Sequence, residues 1–459
     1  MRYISTRGQA PVLDFKSVLL AGLASDGGLY LPEQLPQFSP QQIAAMATLS
    51  YQELALQLLL PFVGDSFSEA QLKACIDKAY ASFRHPAIAP LVQLAPQHFV
   101  LELFHGPTLA FKDFALQLLG HLMDEALKDS DQRAVVLGAT SGDTGSAAIA
   151  GCRGRKNLDI VILYPRGRTS DVQRRQMTTT GEANVHAMEV DGTFDDCQDL
   201  VKSLFADAEL RGRVNLLAVN SINWVRVLAQ VVYYFYAAMR LGAPATAVNF
   251  CVPTGNFGDI FAGYIARQMG LPMGKLIIAT NKNDILTRCV ETGEYTITGV
   301  DATLSPSMDI QIASNFERLL FDLYGRDGAR LSQLMADFRA TKSLTLSPSA
   351  HADFTRVFSA HATDDAATLA TIARTHAASG YVLDPHTAVG VAASEALDLS
   401  GITVTLATAH PAKFPEAVTK ATNTHPQLPP HMADLFEKRE HITPLRNDAE
   451  ALKTMIRSL

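Results

Sequence analysis

Lys112 is the residue whose surroundings most favour covalent chemistry. It stands in HGPTLAFKDFALQLLGHLM, residues 105–123. Phe111, Phe114, Ala115, Leu118, Leu119, Leu122 and Met123 form one stripe at helical spacing, which predicts a helix beginning near Ala110. Lys112 then falls in the first turn, the end of the helix dipole that disfavours a cation. Leu109, Phe111 and Phe114 keep water from the same position. Both effects favour the neutral amine, and the neutral amine is the form that attacks a carbonyl carbon to make a Schiff base. A solvated lysine beside Asp113 is the ordinary alternative, and its weight depends on what else the chain carries.

Two glycine loops bear on that weight. CVPTGNFGDIFAG, residues 251–263, joins an apolar strand-like run to a helix-like run that begins near Gly258. Amides at a helix N-terminus lack intrahelical partners and carry the positive end of the dipole. Thr254, Gly255, Asn256, Phe257 and Gly258 can therefore cradle a phosphate with neutral donors alone. The loop lacks the Lys and Ser/Thr of a nucleotide-binding P-loop and lacks GxGxxG, which disfavours a nucleotide. The second loop is ATSGDTGSAA, residues 139–148. There Ser141, Gly142, Thr144 and Gly145 offer amides and hydroxyls to a carboxylate or phosphate. A tight strand-to-helix turn with nothing bound, and a locally capping Ser/Thr/Asp run, are the plain alternatives. Two such loops in one chain suit a ligand pair, a phosphorylated cofactor and an acidic substrate.

A phosphate cup beside an activated lysine points to pyridoxal 5'-phosphate. Such a site needs a third part, a group facing the ring nitrogen. Thr408, at the end of ITVTLAT, is the candidate. A hydroxyl there leaves the nitrogen less protonated than an Asp would, and the ring a milder electron sink. Packing within a sheet is the ordinary role of a strand Thr. His105 and His410 lie near Lys112 and Thr408 in sequence. Each is either a proton relay or a turn histidine bonded to nearby backbone, the second being the commoner case. The histidines and cysteines show no metal-ligand spacing, so no metal is expected.

The elements that must hold these residues are legible as short β-rich runs alternating with helices. AVVLGA (134–139), DIVILYP (159–165) and ANVHAMEV (183–190) form one series, and AVNFCVP (247–253), KLIIATN (275–281) and ITVTLATA (402–409) a second. This rhythm predicts an α/β fold with two open, twisted sheets carrying helices on both faces. HFVLELF (98–104) reads as a further strand, and SPQQIAAMATLSYQELALQLLLPF, after Phe38, as an apolar helical stripe. The expected division is a mostly helical N-terminal region, 1–96, packed on the larger domain. A smaller α/β domain, 97–222, would carry Lys112 and the SGDTG loop, and a larger one, 223–459, the phosphate cup. A small-molecule site belongs in the cleft between them.

Composition narrows the class. The chain has 459 residues, 47% apolar and 19% charged, with a net charge of −7. That is globular, and too acidic for non-specific nucleic-acid binding. The apolar run VLAQVVYYFYAAM at 227–239 is too short to span a bilayer and reads as a buried helix. Five scattered cysteines without a CxxC pair argue against a disulfide framework and for a reducing compartment, taken as the cytoplasm.

ELFHGPTLAFKDFAL resembles the pyridoxal-lysine signature of the serine/threonine dehydratase group, which has the tryptophan synthase β-like fold (fold type II). With SDGGLYLPE, GATSGDTGSAA, NSINWVR, VPTGNFGD, SPSMDIQIASNFERL, LDPHTAVG and ATAHPAKFPEAV, the chain is similar along nearly its whole length to the threonine synthase family of bacteria and fungi. The resemblance implies a carbon–oxygen lyase. It would convert O-phospho-L-homoserine and water to L-threonine and phosphate, the last step of threonine biosynthesis, by γ-elimination and β-addition of water. It also implies roles. Lys112 would hold the cofactor as a Schiff base and then move protons at Cα, Cβ and Cγ of the substrate. Gly255, Asn256, Phe257 and Gly258, with Asp259, would hold the cofactor phosphate, and Thr408 would face the pyridine nitrogen. Ser141, Gly142, Asp143 and Thr144 would grip the substrate carboxylate. Asn223 and Arg226, one i,i+3 step apart, would bind the substrate phosphate. Many members of the wider fold carry Asn at the position of Asp143, against the cofactor's 3' oxygen. An Asp there meets a phenolate unfavourably unless it is protonated or turned away.

Water must add at Cβ on one face only, so closure of the two domains over the substrate is expected. A monomer or weak homodimer is the expected assembly. The rival readings are a pyridoxal-phosphate-dependent phospho-lyase or dehydratase releasing 2-oxobutyrate, and a metabolite-binding protein without activity. Intact Lys112 counts against the second.

Overall fold

Two mainly parallel sheets account for nearly all the strand-like runs in the computed structural model, which describes residues 1–128 and 133–459. The larger sheet has the spatial order Phe358–Ala362, Met273–Thr280, Val248–Pro253, Thr403–Ala407, His98–Glu102, Leu91–Ala95. Only the edge pair, Leu91–Ala95 with His98–Glu102, is antiparallel. The smaller sheet is parallel throughout, in the order Thr443–Leu445, Val185–Val190, Leu158–Pro165, Ala134–Ala139, Asn215–Ala218.

Each sheet is covered on both faces, as expected. Leu276 and Ile278 enter one core, while Ile277 and Ala279 pack with Val389 and Ala393 in another. In the smaller sheet Ile160 and Ile162 face the main core, and Val161 and Leu163 meet Leu200, Leu204 and Leu452 on the far side. Alternation of side chains along a strand divides the two faces, and burial of both makes the run continuously apolar.

Three strands lie outside the segments expected for their sheets. Leu91–Ala95, within 1–96, is an edge strand of the larger one. His98–Glu102, within 97–222, pairs with Thr403–Ala407 of the larger sheet. Thr443–Leu445, within 223–459, is an edge strand of the smaller sheet. A short run carries no mark of the sheet that receives it, since pairing depends on residues far along the chain. The N-terminal stripe is likewise two helices, Pro40–Met46 and Tyr51–Val63. Each begins with a capping box, Ser39 with Gln42 and Ser50 with Glu53.

The helices that position the candidate site are packed unusually closely. Lys112–Leu127 lies against Asp143–Cys152. A Cβ at Gly120 would collide with the Gly151 carbonyl oxygen, and one at Gly151 with the Leu116 carbonyl oxygen. Backbone therefore meets backbone, and Lys112 and Asp143, which begin these helices, are brought together. Beneath them runs Trp224–Arg240, buried at every residue from 224 to 239. Among the described residues no helix is long and apolar enough to cross a membrane.

The lysine helix starts at Lys112, two residues later than its stripe predicts. Ala110 is drawn instead into an antiparallel bridge with Ala409. Phe111 N donates to Thr408 O at 2.9 Å and His410 N to Leu109 O at 3.0 Å. Tertiary hydrogen bonds replace the first helical turn that local periodicity would build.

Candidate active site

A cleft of about 750 Å³ opens where strands of both sheets end. The loops after Ala134–Ala139, Val248–Pro253 and Thr403–Ala407 reach it, the place where open parallel sheets leave backbone free to meet a ligand. Every ligand-binding residue expected from the sequence lines it except Gly142, Gly145 and Asn223.

The Lys112 side chain is 12% exposed. Its Nζ lies 3.3 Å from Asp143 Oδ2 and 3.4 Å from Ser307 Oγ. Burial pushes the amine pKa below that of an ordinary lysine. Asp143 opposes that shift, and Lys413 and Arg226 add to it. Asp143 is buried too. Its Oδ1 takes Lys413 Nζ at 2.8 Å and Gln173 Nε2 at 2.9 Å, and its Oδ2 also takes Ser307 Oγ at 3.3 Å. Burial alone would raise this carboxyl, but the two ammonium groups hold it well below the usual range. Asp143 thus sits ionised beside Lys112. It is compensated by a second lysine.

The loop of residues 255–258 lines the same cleft. Among the described residues, the amides of Gly255, Asn256, Phe257 and Gly258 donate to no acceptor of the chain. Asn315 holds the Asn256 carbonyl through its amide N and its Nδ2, both at 3.0 Å. Phe257 caps the helix Gly258–Gln268 at φ 63° and buries its ring against Phe316 and Phe358. Its ring is therefore packed in the core, and only its backbone amide is left unspent at the loop. A Cβ at Gly255 would stand 2.7 Å from Ser307 O, so only glycine lets these two backbones meet.

Asp259, in the first turn of Gly258–Gln268, turns its carboxyl away from the loop of residues 255–258. Its carboxyl turns to Tyr233 and Tyr234, whose hydroxyls donate to Oδ1 at 2.5 and 3.0 Å, and burial pushes its pKa up to about 7. A buried carboxyl in such ties has no donor to spare for an anion while ionised, so only the backbone amide remains for the cup.

Asn223 departs from the expectation that it binds the substrate phosphate. It caps Trp224–Arg240, with Oδ1 accepting from Val225 N and Nδ2 donating to Leu19 O, both at 3.0 Å. It is fully buried and spends its amide on backbone. Arg226 does line the cleft. It is 6% exposed, its Nη1 meets no partner, and burial lowers its pKa to about 10. A buried guanidinium with an unspent N–H is a strong demand for an anion.

In the SGDTG loop, Thr140 Oγ1 accepts from Gly142 N and Gly145 N, both at 2.9 Å. The Gly142 carbonyl takes Ser146 N at 3.0 Å. The Gly142 and Gly145 amides therefore shape the loop, and Ser141, Asp143 and Thr144 are left to meet a ligand. Thr408 is fixed by Thr387 Oγ1, which accepts its amide at 3.2 Å.

Residues missed in the sequence complete the wall. His386 Nδ1 pairs with Asp384 Oδ1 at 2.9 Å, and its Nε2 accepts Ser307 N at 3.2 Å. Lys413, Ser307 and His386 all lie in stretches that carry the family resemblance, but nothing in their local spacing marks them as chemical. His105 and His410 lie outside the cleft, beside a second pocket. His105 bonds Glu102 at 2.7 Å, and His410 Nδ1 accepts Ala412 N at 3.1 Å. His410 is the turn histidine bonded to backbone, while His105 is bonded to a carboxylate. Among the described residues no group of ligating side chains could hold a metal ion.

Comparison with known proteins bears directly on this arrangement. Three family descriptions match successive parts of the chain: threonine synthase N terminus at residues 2–80, pyridoxal-phosphate dependent enzyme at 83–334, and threonine synthase, C-terminal, at 387–456. A threonine synthase of Pseudomonas aeruginosa is 54% identical over 99% of this chain and 98% of its own length. That of Saccharomyces cerevisiae is 43% identical over 91% of this chain and 88% of its own. The crystal structure of pyridoxal-phosphate-bound threonine synthase from Brucella melitensis superposes with a TM-score of 0.98 and 53% identity, covering 100% of this chain and 99% of that one. Maize serine racemase shares the fold alone, at a TM-score of 0.52 and 12% identity over 74% of this chain and 92% of that one.

Proposed function

The chain belongs to the threonine synthase family of pyridoxal-phosphate-dependent enzymes, and we propose that its cleft converts O-phospho-L-homoserine and water to L-threonine and phosphate with the residues described above. The observation that carries this reading is Lys112. Its amine is buried in the cleft, and the same cleft is lined by a cup of unspent amides.

The residues fit the cofactor. Lys112 supplies the amine that binds it covalently, the amides of residues 255–258 receive its phosphate, and Thr408 offers a hydroxyl rather than an acid to its ring nitrogen. When bound, the cofactor supplies an electron sink for the carbanions at Cα and Cβ that precede loss of phosphate from Cγ. The Lys112 amine, where free of the cofactor, would take and return protons at Cα, Cβ and Cγ of the substrate. Arg226 takes the substrate phosphate and stabilises the charge that grows on it as it leaves. The amides of Ser141, Asp143 and Thr144, at the start of Asp143–Cys152, take the substrate carboxylate.

The apolar side chains of Leu23, Phe194, Val201 and Phe205 line the same cleft and suit a mouth that closes against bulk water. The division into two closing units is part of this reading, with residues 443–459 travelling with the smaller sheet. So are a small-molecule substrate, a monomeric or weakly dimeric assembly and a cytoplasmic setting. The last is supported by five cysteines that are buried and free.

Two measurements test the reading together. Borohydride reduction followed by peptide mass spectrometry is expected to find the cofactor on Lys112. Incubation with O-phospho-L-homoserine is expected to yield threonine and phosphate. Release of 2-oxobutyrate and ammonia would assign the dehydratase reaction instead, and a cofactor on another peptide would remove Lys112 from its role.

A further inference from the structure

Lys413 is completely buried, and its ammonium makes two short contacts. Nζ lies 2.8 Å from Asp143 Oδ1 and donates to Thr108 O at 2.7 Å. Thr108 gives its amide and its hydroxyl to the two oxygens of Asp113, each at 2.8 Å, and Asp113 follows Lys112 directly in the chain. Lys413 itself closes a short turn, Pro411–Lys413, with its amide on His410 O at 3.0 Å. The ammonium is therefore held from several sides.

Asp143 divides its oxygens between two amines. Oδ1 is fixed by Lys413 and Gln173, and Oδ2 faces Lys112 at 3.3 Å. A buried carboxylate whose single ionic partner was Lys112 would hold the proton on that amine, the opposite of what nucleophilic attack requires. With Lys413 in place, Asp143 keeps a counter-charge when Lys112 gives up its proton. The Asp143–Lys413 pair is then formally neutral. We propose that Lys413 is a positioning residue that holds Asp143 ionised and anchored by one oxygen, so that Lys112 works beside it as a neutral amine. The charged groups acting on Lys112 are Asp143, Lys413 and Arg226, with His386 one step further, behind the Ser307 amide. This inference rests on the reading that Lys112 is the reactive amine.

The test is competitive labelling of the full-length chain, freed of cofactor, with limiting acetic anhydride across a range of pH. Peptide mass spectrometry reads the labelling of Lys112 against surface lysines. Lys413→Met and Lys413→Gln are both expected to raise the midpoint of Lys112 by at least one pH unit, which lowers its labelling about tenfold at a pH well below both midpoints. Adding Asp143→Asn to Lys413→Met is expected to return the midpoint to the wild-type value or below. Lys413→Gln keeps a hydrogen-bond donor without the charge, and the double variant leaves no uncompensated carboxylate, so a poorly folding Lys413→Met does not end the test. An unchanged midpoint in Lys413→Gln, or a shift that Asp143→Asn does not reverse, would overturn the proposal. Labelling needs no cofactor, so its outcome is separate from the borohydride result that tests Lys112 itself.

Discussion

Arg226 illustrates how one side chain can state a requirement. Its guanidinium is buried and its Nη1 is unspent, an arrangement that becomes favourable only when an anion arrives. Arg226→Met is expected to lower kcat/KM for the phosphorylated substrate by roughly 30-fold or more, corresponding to about 2 kcal/mol for a lost buried charge contact. It should also weaken inhibition by inorganic phosphate, while leaving the covalent binding of cofactor to Lys112 in place. Equal loss with and without a phosphate group on the ligand would remove Arg226 from phosphate recognition.

Between elements, the decisive contact is the crossing of Lys112–Leu127 with Asp143–Cys152. Gly120 and Gly151 let the two backbones touch, and that touch sets the 3.3 Å separation of Lys112 and Asp143 at the helix starts. Gly120→Ala is expected to force the helices apart. The stability loss should be about 1–3 kcal/mol, the usual range for overpacking a close interior, read as a lower midpoint in urea. The same variant should bind cofactor less tightly, although residue 120 is remote from the cleft. Full stability and full cofactor affinity would show that the crossing does not govern the site.

For the assembled chain, the C-terminal stretch is what closes the smaller sheet. Thr443–Leu445 pairs with Val185–Val190, and Leu445, Leu452 and Ile456 are buried in the core on that face. Burying three such side chains is worth about 4.5–9 kcal/mol at about 1.5–3 kcal/mol each, comparable to the whole net stability of a typical domain. A chain ending at Ile442 is therefore expected to lose hydrogen-exchange protection first in Leu158–Pro165 and Val185–Val190, before the larger sheet. Simultaneous loss in both sheets would mean that they unfold as one unit.

Much of the site is a property of short stretches, and those stretches were legible. The lysine at a helix start, the cup at residues 255–258 and the strand rhythm of both sheets each follow from neighbours a few residues apart, because periodicity, capping and loop chemistry act at that range. Folding decided what depends on distance in space. It placed Lys413 on Asp143, joined Thr108 to a lysine 305 residues away, spent Asn223 on a helix cap and turned Asp259 to two tyrosines. It also sent His98–Glu102 to the larger sheet. An unpaired charge or strand edge is satisfied by whichever group packing brings near, and a linear pattern of residue types does not contain that neighbour.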